Sequence, residues 1–134
     1  MIQREQINKK IVHLQVLEAN MKILDERFKI ITERVEELQK TRNAVEELKT
    51  TKPSKAMIPL GSGNFVFGSI DHTEDIVVGI GAGVAIKKKR EQSIEILDDR
   101  LKELESILNE ISGQMQIITE QSENIQSDIE KLQK

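Results

Sequence analysis

The sequence lacks cysteine, tryptophan and tyrosine, and it contains only three phenylalanines in 134 residues. The absence of cysteine excludes disulfides, thiolate catalysis and cysteine-based metal sites. Because few large side chains are available to fill an interior, a thick globular core is not expected. Apolar residues make up 37% of the chain and charged residues 32%. This composition favours long helices with a narrow apolar stripe.

A strong charge of one sign and a long apolar run are also missing. The net charge of -3 is too small and too mixed in sign to indicate a nucleic-acid or membrane partner. No run approaches the ~20 apolar residues of a membrane span, and residues 1–10 have no signal-peptide core. The sequence therefore predicts a soluble, cytoplasmic protein without a membrane or nucleic-acid partner.

Charge divides the chain into three segments, 1–52, 53–86 and 87–134. They hold 20, 4 and 19 charged residues, and the middle segment also has both prolines and six of the seven glycines. Glycine and proline mark turns and helix breaks. We therefore expect an N-terminal coiled-coil helix, a double β-hairpin assembly module and a C-terminal coiled-coil helix, together forming one structural domain.

Apolar residues recur at steps of three and four in both outer segments, the spacing that keeps one seam of a helix facing a partner helix. In the first segment they are Ile7, Ile11, Leu14, Leu17, Met21, Leu24, Phe28, Ile31, Val35, Leu38, Val45 and Leu48. In the last they are Ile94, Leu97, Leu101, Leu104, Leu108, Ile111, Met115, Ile118, Ser122, Ile125, Ile129 and Leu132, of which only Ser122 is polar. The order slips once, between Leu14 and Met21.

Two helices of similar length, joined by a compact insert, can fold back on each other as an antiparallel coiled coil. Paired seam positions must then add to a constant number, and the pairs from Leu38 with Leu101 to Ile7 with Leu132 all add to 139. In this register Leu17 lies opposite Ser122. The pattern predicts an antiparallel two-helix coiled coil with a weak layer at that position.

The middle segment predicts four short strands, at 57–60, 64–67, 75–80 and 83–87. Turns at 61–63 and at Gly81-Ala82 join them into two hairpins, and residues 71–74 link the hairpins. Both faces are apolar, and two hairpins cannot bury two faces alone. We therefore expect the insert to be an assembly module whose contacts are made by Ile58, Leu60, Phe65, Phe67, Ile76, Val78, Ile80, Val84 and Ile86.

Catalytic and metal-binding patterns are weak. Residues 79–83 (Gly-Ile-Gly-Ala-Gly) superficially match a dinucleotide-binding loop, but that loop requires a helix directly after the glycines, and here the strand pattern continues. His13 and His72, the only histidines, lie in different segments without carboxylates at metal-ligand spacing. The sequence predicts no enzyme activity, no metal and no cofactor.

The middle segment also resembles a known family, the alpha class of prefoldin. The matching stretches are Ile58-Pro59-Leu60-Gly61-Ser62-Gly63 and Thr73-Glu74-Asp75-Ile76-Val77-Val78-Gly79-Ile80-Gly81-Ala82-Gly83-Val84. The likeness covers essentially all 134 residues, but its specificity lies in these stretches, because heptads occur in many unrelated proteins.

The resemblance implies an α+β fold, a long antiparallel two-helix coiled coil with two inserted β-hairpins that assemble into an oligomeric β-barrel. It also implies a subunit of a hexameric, ATP-independent chaperone of the archaeal type, with two alpha and four beta subunits. In that family the coiled-coil tips hold unfolded or nascent proteins and deliver them to a group II chaperonin.

The end of the coiled coil away from the hairpins is where such a role predicts client binding, because no further layer covers its apolar groups. The predicted client-binding residues are Met1, Ile2, Ile7, Ile11, Leu14, Ile125, Ile129 and Leu132. Two alternatives remain. These residues can be ordinary frayed coiled-coil ends, and the whole protein can be a scaffold or oligomerisation protein without client-holding activity.

Overall fold

The computed structural model describes residues 2–50, 52 and 54–133. Along the chain, one long helix precedes four strands and a second long helix follows them. The elements are α1 (Ile2–Glu47), β1 (Ser54–Gly61), β2 (Asn64–Ile70), β3 (Asp75–Gly81), β4 (Val84–Lys89) and α2 (Arg90–Gln133). The predicted arrangement of helix, two hairpins and helix is confirmed. Within the described residues, neither helix has a stretch long and apolar enough to cross a membrane.

The strands form two separate antiparallel hairpins, β1 with β2 and β3 with β4. They are longer than the sequence pattern predicts: β1 begins at Ser54, and β4 continues to Lys89, directly before α2. The lysines at the end of β4 therefore belong to a strand and not to the beginning of a helix. Ion pairing of two of them with Asp75 on β3 explains why the strand extends through this charged run.

Both hairpins turn at two residues with positive φ, Ser62-Gly63 and Ala82-Gly83. Two consecutive positive φ values are the mark of a type I′ turn, whose twist matches that of the strands. The second turn lies one residue later than predicted, because Gly81 is still paired with Val84 at the end of the ladder. No helix follows residues 79–83, so the hairpin interpretation of these glycines is confirmed.

The chain separates into two compact units, which we call the terminal unit (residues 2–35 and 103–133) and the central unit (Glu36–Lys102). In the terminal unit Lys10 on α1 contacts Asp128 on α2 at 3.4 Å. In the central unit Arg42 contacts Asp98 at 2.8 Å. Both pairs lie within one residue of the predicted register, so each unit confirms an antiparallel pairing of α1 and α2.

The seam of α1 differs from the prediction near the N-terminal end of the helix. Ile11 is 41% exposed, whereas Lys10, half-buried and paired with Asp128, takes the seam place. With Lys10 in the seam, the steps from Ile7 to Leu38 alternate three and four without the predicted slip. The prediction was wrong because it chose the more apolar of two neighbours, although the stem of a lysine can cover a seam while its ammonium group reaches a carboxylate.

The seam of α2 runs as predicted, and its residues supply four of the eight buried apolar side chains in the described part of the chain. In the terminal unit the buried apolar residues are Leu17, Leu24, Ile111 and Ile125. In the central unit they are Val45, Val78, Leu97 and Leu101. The core is therefore a narrow row of side chains in each unit, as the scarcity of aromatic residues predicts.

The first turn of α2 is anchored by polar contacts. The backbone N–H of Lys89 donates to the side-chain oxygen of Gln92 at 3.3 Å, half of a capping box. The backbone N–H of Arg90 donates to the carbonyl of Glu74 at 2.8 Å, and its guanidinium donates to the carbonyl of Thr73 at 2.8 Å. These contacts fix the link between the hairpins onto the beginning of α2.

Candidate functional site: hairpin faces and chain ends

The first hairpin carries an aromatic face that nothing in the described chain covers. Met57 pairs with Phe67 and Pro59 with Phe65 across the ladder, so these side chains share one face. Phe67 is 79% exposed, Met57 63% and Phe65 56%. A sheet face with this much apolar area in water is typical of a surface that binds another protein.

On the opposite face of the first hairpin, the side chain of Ile58 lies close to Gly68. A Cβ on Gly68 would lie 2.5 Å from Cδ1 of Ile58, so the side chain of Ile58 lies across the position that a larger residue would fill. Ile58 and its cross-strand partner Val66 are both about half exposed. This face is therefore also incompletely covered, which agrees with the prediction that two hairpins cannot bury both faces.

The second hairpin is more covered than the sequence suggested. Val78 is buried, and its cross-strand partner Ile86 is half-buried, as is Ile76. Next to Val78, the carbonyl of Gly79 accepts a hydrogen bond of 2.8 Å from the Arg100 guanidinium of α2. Part of the predicted assembly set is thus already packed within the chain.

The residues of the predicted assembly set that stay exposed lie mainly on the first hairpin and beside the two turns. They are Ile58, Leu60, Phe65, Phe67, Ile80 and Val84. The hydrogen-bonded ladder of each hairpin ends at its turn. Unpaired backbone groups and apolar side chains are therefore exposed close together at the two turns. This part of the structure offers the surface that an assembly contact requires.

The outward face of the second hairpin is charged. Asp75 accepts contacts from Lys89 Nζ at 3.1 Å and Lys87 Nζ at 3.5 Å. The hydrogen bond from Lys89 is the main reason that the pKa of Asp75 is lowered, and the charge of Lys87 adds to it against the opposing effect of desolvation. Val77, which shares this face, is 73% exposed among these charges. This face is built to meet solvent.

The residues near the chain ends that are predicted to bind clients differ widely in the exposed fraction of their side chains. Ile2 is 75% exposed and Ile11 41%, while Leu14 is half-buried. Ile125 is only 8% exposed in the seam. Ile125 can contact a client only if the two helices separate around it.

The other predicted client-binding residues lie between these extremes. Ile7, Ile129 and Leu132 are half-buried, and Met1 lies outside the described residues. Gln3 on α1 donates a hydrogen bond to the carbonyl of Leu132 on α2. The helices are therefore in contact to within a few residues of both chain ends.

The exposed side of the terminal unit was missed by the sequence analysis. Besides Ile11 and Val12, five aliphatic residues outside the seam are 40% to 62% exposed: Val16, Ile23, Ile30, Ile107 and Ile117. The seven-residue spacing of Val16, Ile23 and Ile30 was the available signal, because residues one heptad apart lie on the same side of a helix.

His13 and His72 are exposed, and the described residues contain no group of three or more metal-ligating side chains. The pKa of Glu91 is lowered mainly by its own backbone N–H at the beginning of α2, a helix-terminus effect and not a site.

Known proteins resemble this chain over most of its length. The model of the prefoldin subunit family matches residues 17–134. Prefoldin subunit alpha of Methanobrevibacter smithii is 22% identical over 96% of this chain and 88% of its own length. Prefoldin subunit alpha of Pyrococcus horikoshii is 28% identical over 81% of this chain and 75% of its own length.

A solved structure of filamentous PFD from Methanocaldococcus jannaschii has the same fold. It superposes with a TM-score of 0.62 at 17% identity, covering 93% of this chain and 98% of that one. The curated relatives carry the name of the alpha subunit, the family match spans most of the chain, and the helices and hairpins are those of the structural neighbour. This chain belongs to the prefoldin family, as a chaperone subunit of the archaeal alpha type.

Proposed function

We propose that this chain is the alpha subunit of a hexameric, ATP-independent holdase that acts in the cytoplasm with four beta subunits and a second copy of itself. The hairpins build the oligomer, and the chain ends hold unfolded or nascent proteins and pass them to a group II chaperonin. The protein has no catalytic step of its own. What it offers a client is apolar surface in limited amounts.

The observation that carries the assembly part of the proposal is the uncovered face of Met57, Phe65 and Phe67. An isolated two-stranded hairpin is marginally stable in water, and it gains stability when further strands or a second face cover it. Neighbouring subunits with similar hairpins supply that cover. A β-barrel made from several chains also removes the sheet edges that otherwise aggregate.

The assembly is tested by replacing Phe65 and Phe67 with lysine. The double variant is expected to keep the helical circular dichroism of the parent but to fall to the mass of a monomer or dimer in light scattering. Val77→Lys is the matched control, because Val77 is equally exposed but lies among Asp75, Lys87 and Lys89. An unchanged mass for the double variant, or an equal loss in the control, contradicts the proposed interface.

A scaffold without client binding is the second candidate, and the burial of Ile125 in the seam favours it. The two functions separate in one assay. The assembled protein is mixed, without ATP, with a chemically unfolded protein that aggregates on dilution, and turbidity is followed. A holdase suppresses the turbidity at near-stoichiometric amounts, whereas a scaffold leaves it unchanged.

A further inference from the structure

Three grooves follow one side of the terminal unit, between α1 and α2. The first is lined by Gln6, Lys9 and Lys10 of α1 with Asp128, Lys131 and Leu132 of α2. The second includes Ile23 and Ile117, and the third includes Ile30 and Ile107. Gln114 lines both the second and the third, so these two grooves adjoin.

Heptad positions explain why all three grooves lie on the same side. If the seam residues are a and d, so that Leu14 and Met21 are a, the groove residues outside the seam all fall at positions c and g of either helix. In an antiparallel pair, the c and g positions of both helices lie on one flank and the b and e positions on the other. We call these the c/g flank and the b/e flank.

The two flanks differ sharply in composition. Among residues 4–35 and 103–133, the c/g flank carries five aliphatic side chains and the b/e flank carries one, Ile11. The five are at least 40% exposed, as described above. Aliphatic side chains that stay about half exposed on one flank only are typical of a surface that a partner covers, so the asymmetry favours a partner for the c/g flank.

Charge further restricts what that partner is. The grooves are lined by four basic residues, Lys9, Lys10, Arg27 and Lys131, against two acidic ones, although the whole chain has a net charge of -3. Asp128 is paired with Lys10 at 3.4 Å. Lys9 and Lys131 make no ion pair within the described residues, and both border the first groove. The flank therefore favours acidic groups near the chain ends.

The shape of the flank restricts the partner as well. A groove between two paired helices is the space that a third helix occupies, at interhelical distances of roughly 8–10 Å. Aliphatic side chains repeated every seven residues on α1 present evenly spaced ridges to such a helix. Recognition of an amphipathic helix by an apolar groove relies on anchors at helical spacing, which this flank provides.

We infer that the c/g flank of the terminal unit binds an amphipathic helical segment of a non-native protein, with its apolar stripe on Ile23, Ile30 and Ile117 and carboxylates beside Lys9 and Lys131. The inference rests on the proposed holdase function and specifies which surface and which class of client segment it uses. The seam can stay closed during such binding, so Ile125 need not become exposed.

The test uses three fluorescein-labelled peptides of about 21 residues, long enough for three heptads. The first has apolar residues at i, i+3, i+4 and i+7 with glutamate at the rim. The second has the same composition scrambled, and the third has lysine in place of glutamate. Fluorescence anisotropy with the assembled protein is expected to show tightest binding for the first peptide, with affinity falling as salt is added.

Variants of the protein locate the site. Ile23→Ser with Ile30→Ser and Ile117→Ser is expected to weaken binding of the first peptide roughly tenfold or more. Val12→Ser is the control, since Val12 is an exposed aliphatic residue that lines none of the grooves and belongs to none of the predicted sites. Circular dichroism and light scattering show whether each variant keeps its helices and its oligomeric mass.

A second pair of variants tests the charge argument. Lys9→Glu with Lys131→Glu is expected to weaken binding of the glutamate-rimmed peptide and to improve binding of the lysine-rimmed one. Arg4→Glu with Lys22→Glu makes the same change in net charge on the b/e flank and is expected to have little effect. An equal effect of both pairs contradicts a specific acidic partner.

Several outcomes overturn the inference. They are equal binding of the scrambled peptide, equal loss in the Val12 control, or a fall in oligomeric mass in the Ile23/Ile30/Ile117 variant, which marks the flank as an interface between subunits. If the parent suppresses client aggregation but the flank variant suppresses it equally and still binds the peptide, the inference fails and the holdase function stands. If the parent itself suppresses no aggregation, the holdase function fails.

Discussion

Arg42 on α1 and Asp98 on α2 form a direct ion pair, with Arg42 Nε donating to Asp98 Oδ1 at 2.8 Å. Arg42 occupies a seam position between Leu38 and Val45, and its guanidinium also contacts Glu46. The hydrogen bond that Arg42 donates to Asp98 is the main reason that the pKa of Arg42 is raised. A charged seam position of this kind fixes register, at a cost in stability relative to an apolar residue.

This arrangement predicts opposite effects for two substitutions of Arg42. Arg42→Leu is expected to raise the melting temperature of the helices, because an apolar side chain completes the seam and Asp98 remains partly in water. Arg42→Ala is expected to lower it, since both the packing of the arginine stem and the ion pair are lost. Thermal unfolding, monitored by circular dichroism, gives the melting temperatures of both variants, and Lys40→Leu at an exposed position is the control. A rise with Lys40→Leu as large as that with Arg42→Leu contradicts the seam assignment.

Gly68 and Ile58 predict a matched pair of substitutions in the first hairpin. Gly68→Ala is expected to destabilise the hairpin by about 0.5–1.5 kcal/mol, because Ile58 must leave its preferred rotamer to make room. Ile58→Val removes the Cδ1 atom that causes the clash. The double variant is therefore expected to be more stable than Gly68→Ala alone, as measured by urea unfolding. If the losses of stability caused by the two single substitutions simply add, the contact between the methyl group added at position 68 and Ile58 is not the cause.

Asp75 predicts a defined pH dependence for the second hairpin. Its pKa is lowered by Lys89 and Lys87, so the folded state binds the proton less readily than the unfolded state does. The stabilisation is fully present above the unfolded pKa of 3.8 and is lost as the pH falls through the folded value. Asp75→Asn is expected to be less stable than the parent at neutral pH, with the difference vanishing in strong acid. A difference that persists there contradicts the assignment.

Ser122 and Gly113 predict a weak section in the terminal unit. Ser122 lies opposite the buried Leu17 in the register, and a Cβ on Gly113 would meet no atom within 4 Å. Gly113→Ala is expected to stabilise the helix by ~1 kcal/mol, and Ser122→Leu to complete the seam. Amide exchange along both helices is expected to show protection falling outward from about Met21 and Ile118, and the double variant is expected to extend it. Uniform protection to the chain ends in the parent contradicts the weak section.

Much of the fold follows from spacing alone. The seam of α2, the register and the two hairpins could be predicted, because alternation of three and four specifies which helix face is buried and glycine specifies where the chain can turn. The presence of Lys10 in the seam, where Ile11 was expected, could not be predicted. Hydropathy describes single residues and does not show that Asp128 on α2 lies within reach of Lys10. The position of the second turn depended on one further ladder pair, between Gly81 and Val84.

The candidate surfaces were predicted in part. Exposure of Phe65 and Phe67 agrees with the expected assembly surface. The burial of Val78, next to the hydrogen bond from Arg100 to the Gly79 carbonyl, could not be predicted from strand alternation. The sequence analysis assigned apolar residues to the seam and passed over those beside it. Ile23 and Ile30 became visible as a surface only when the grooves between α1 and α2 placed them together with Ile107 and Ile117.

The central claim is that the hairpins assemble the complex while the residues near both chain ends hold the client. Suppression of client aggregation without ATP, compared at an equal number of subunits between the full chain and residues 36–102, which lack the terminal unit, tests it most directly. The account predicts that the shortened protein keeps the number of subunits of the parent oligomer and loses most of its suppression. Equal suppression by the two proteins would contradict it.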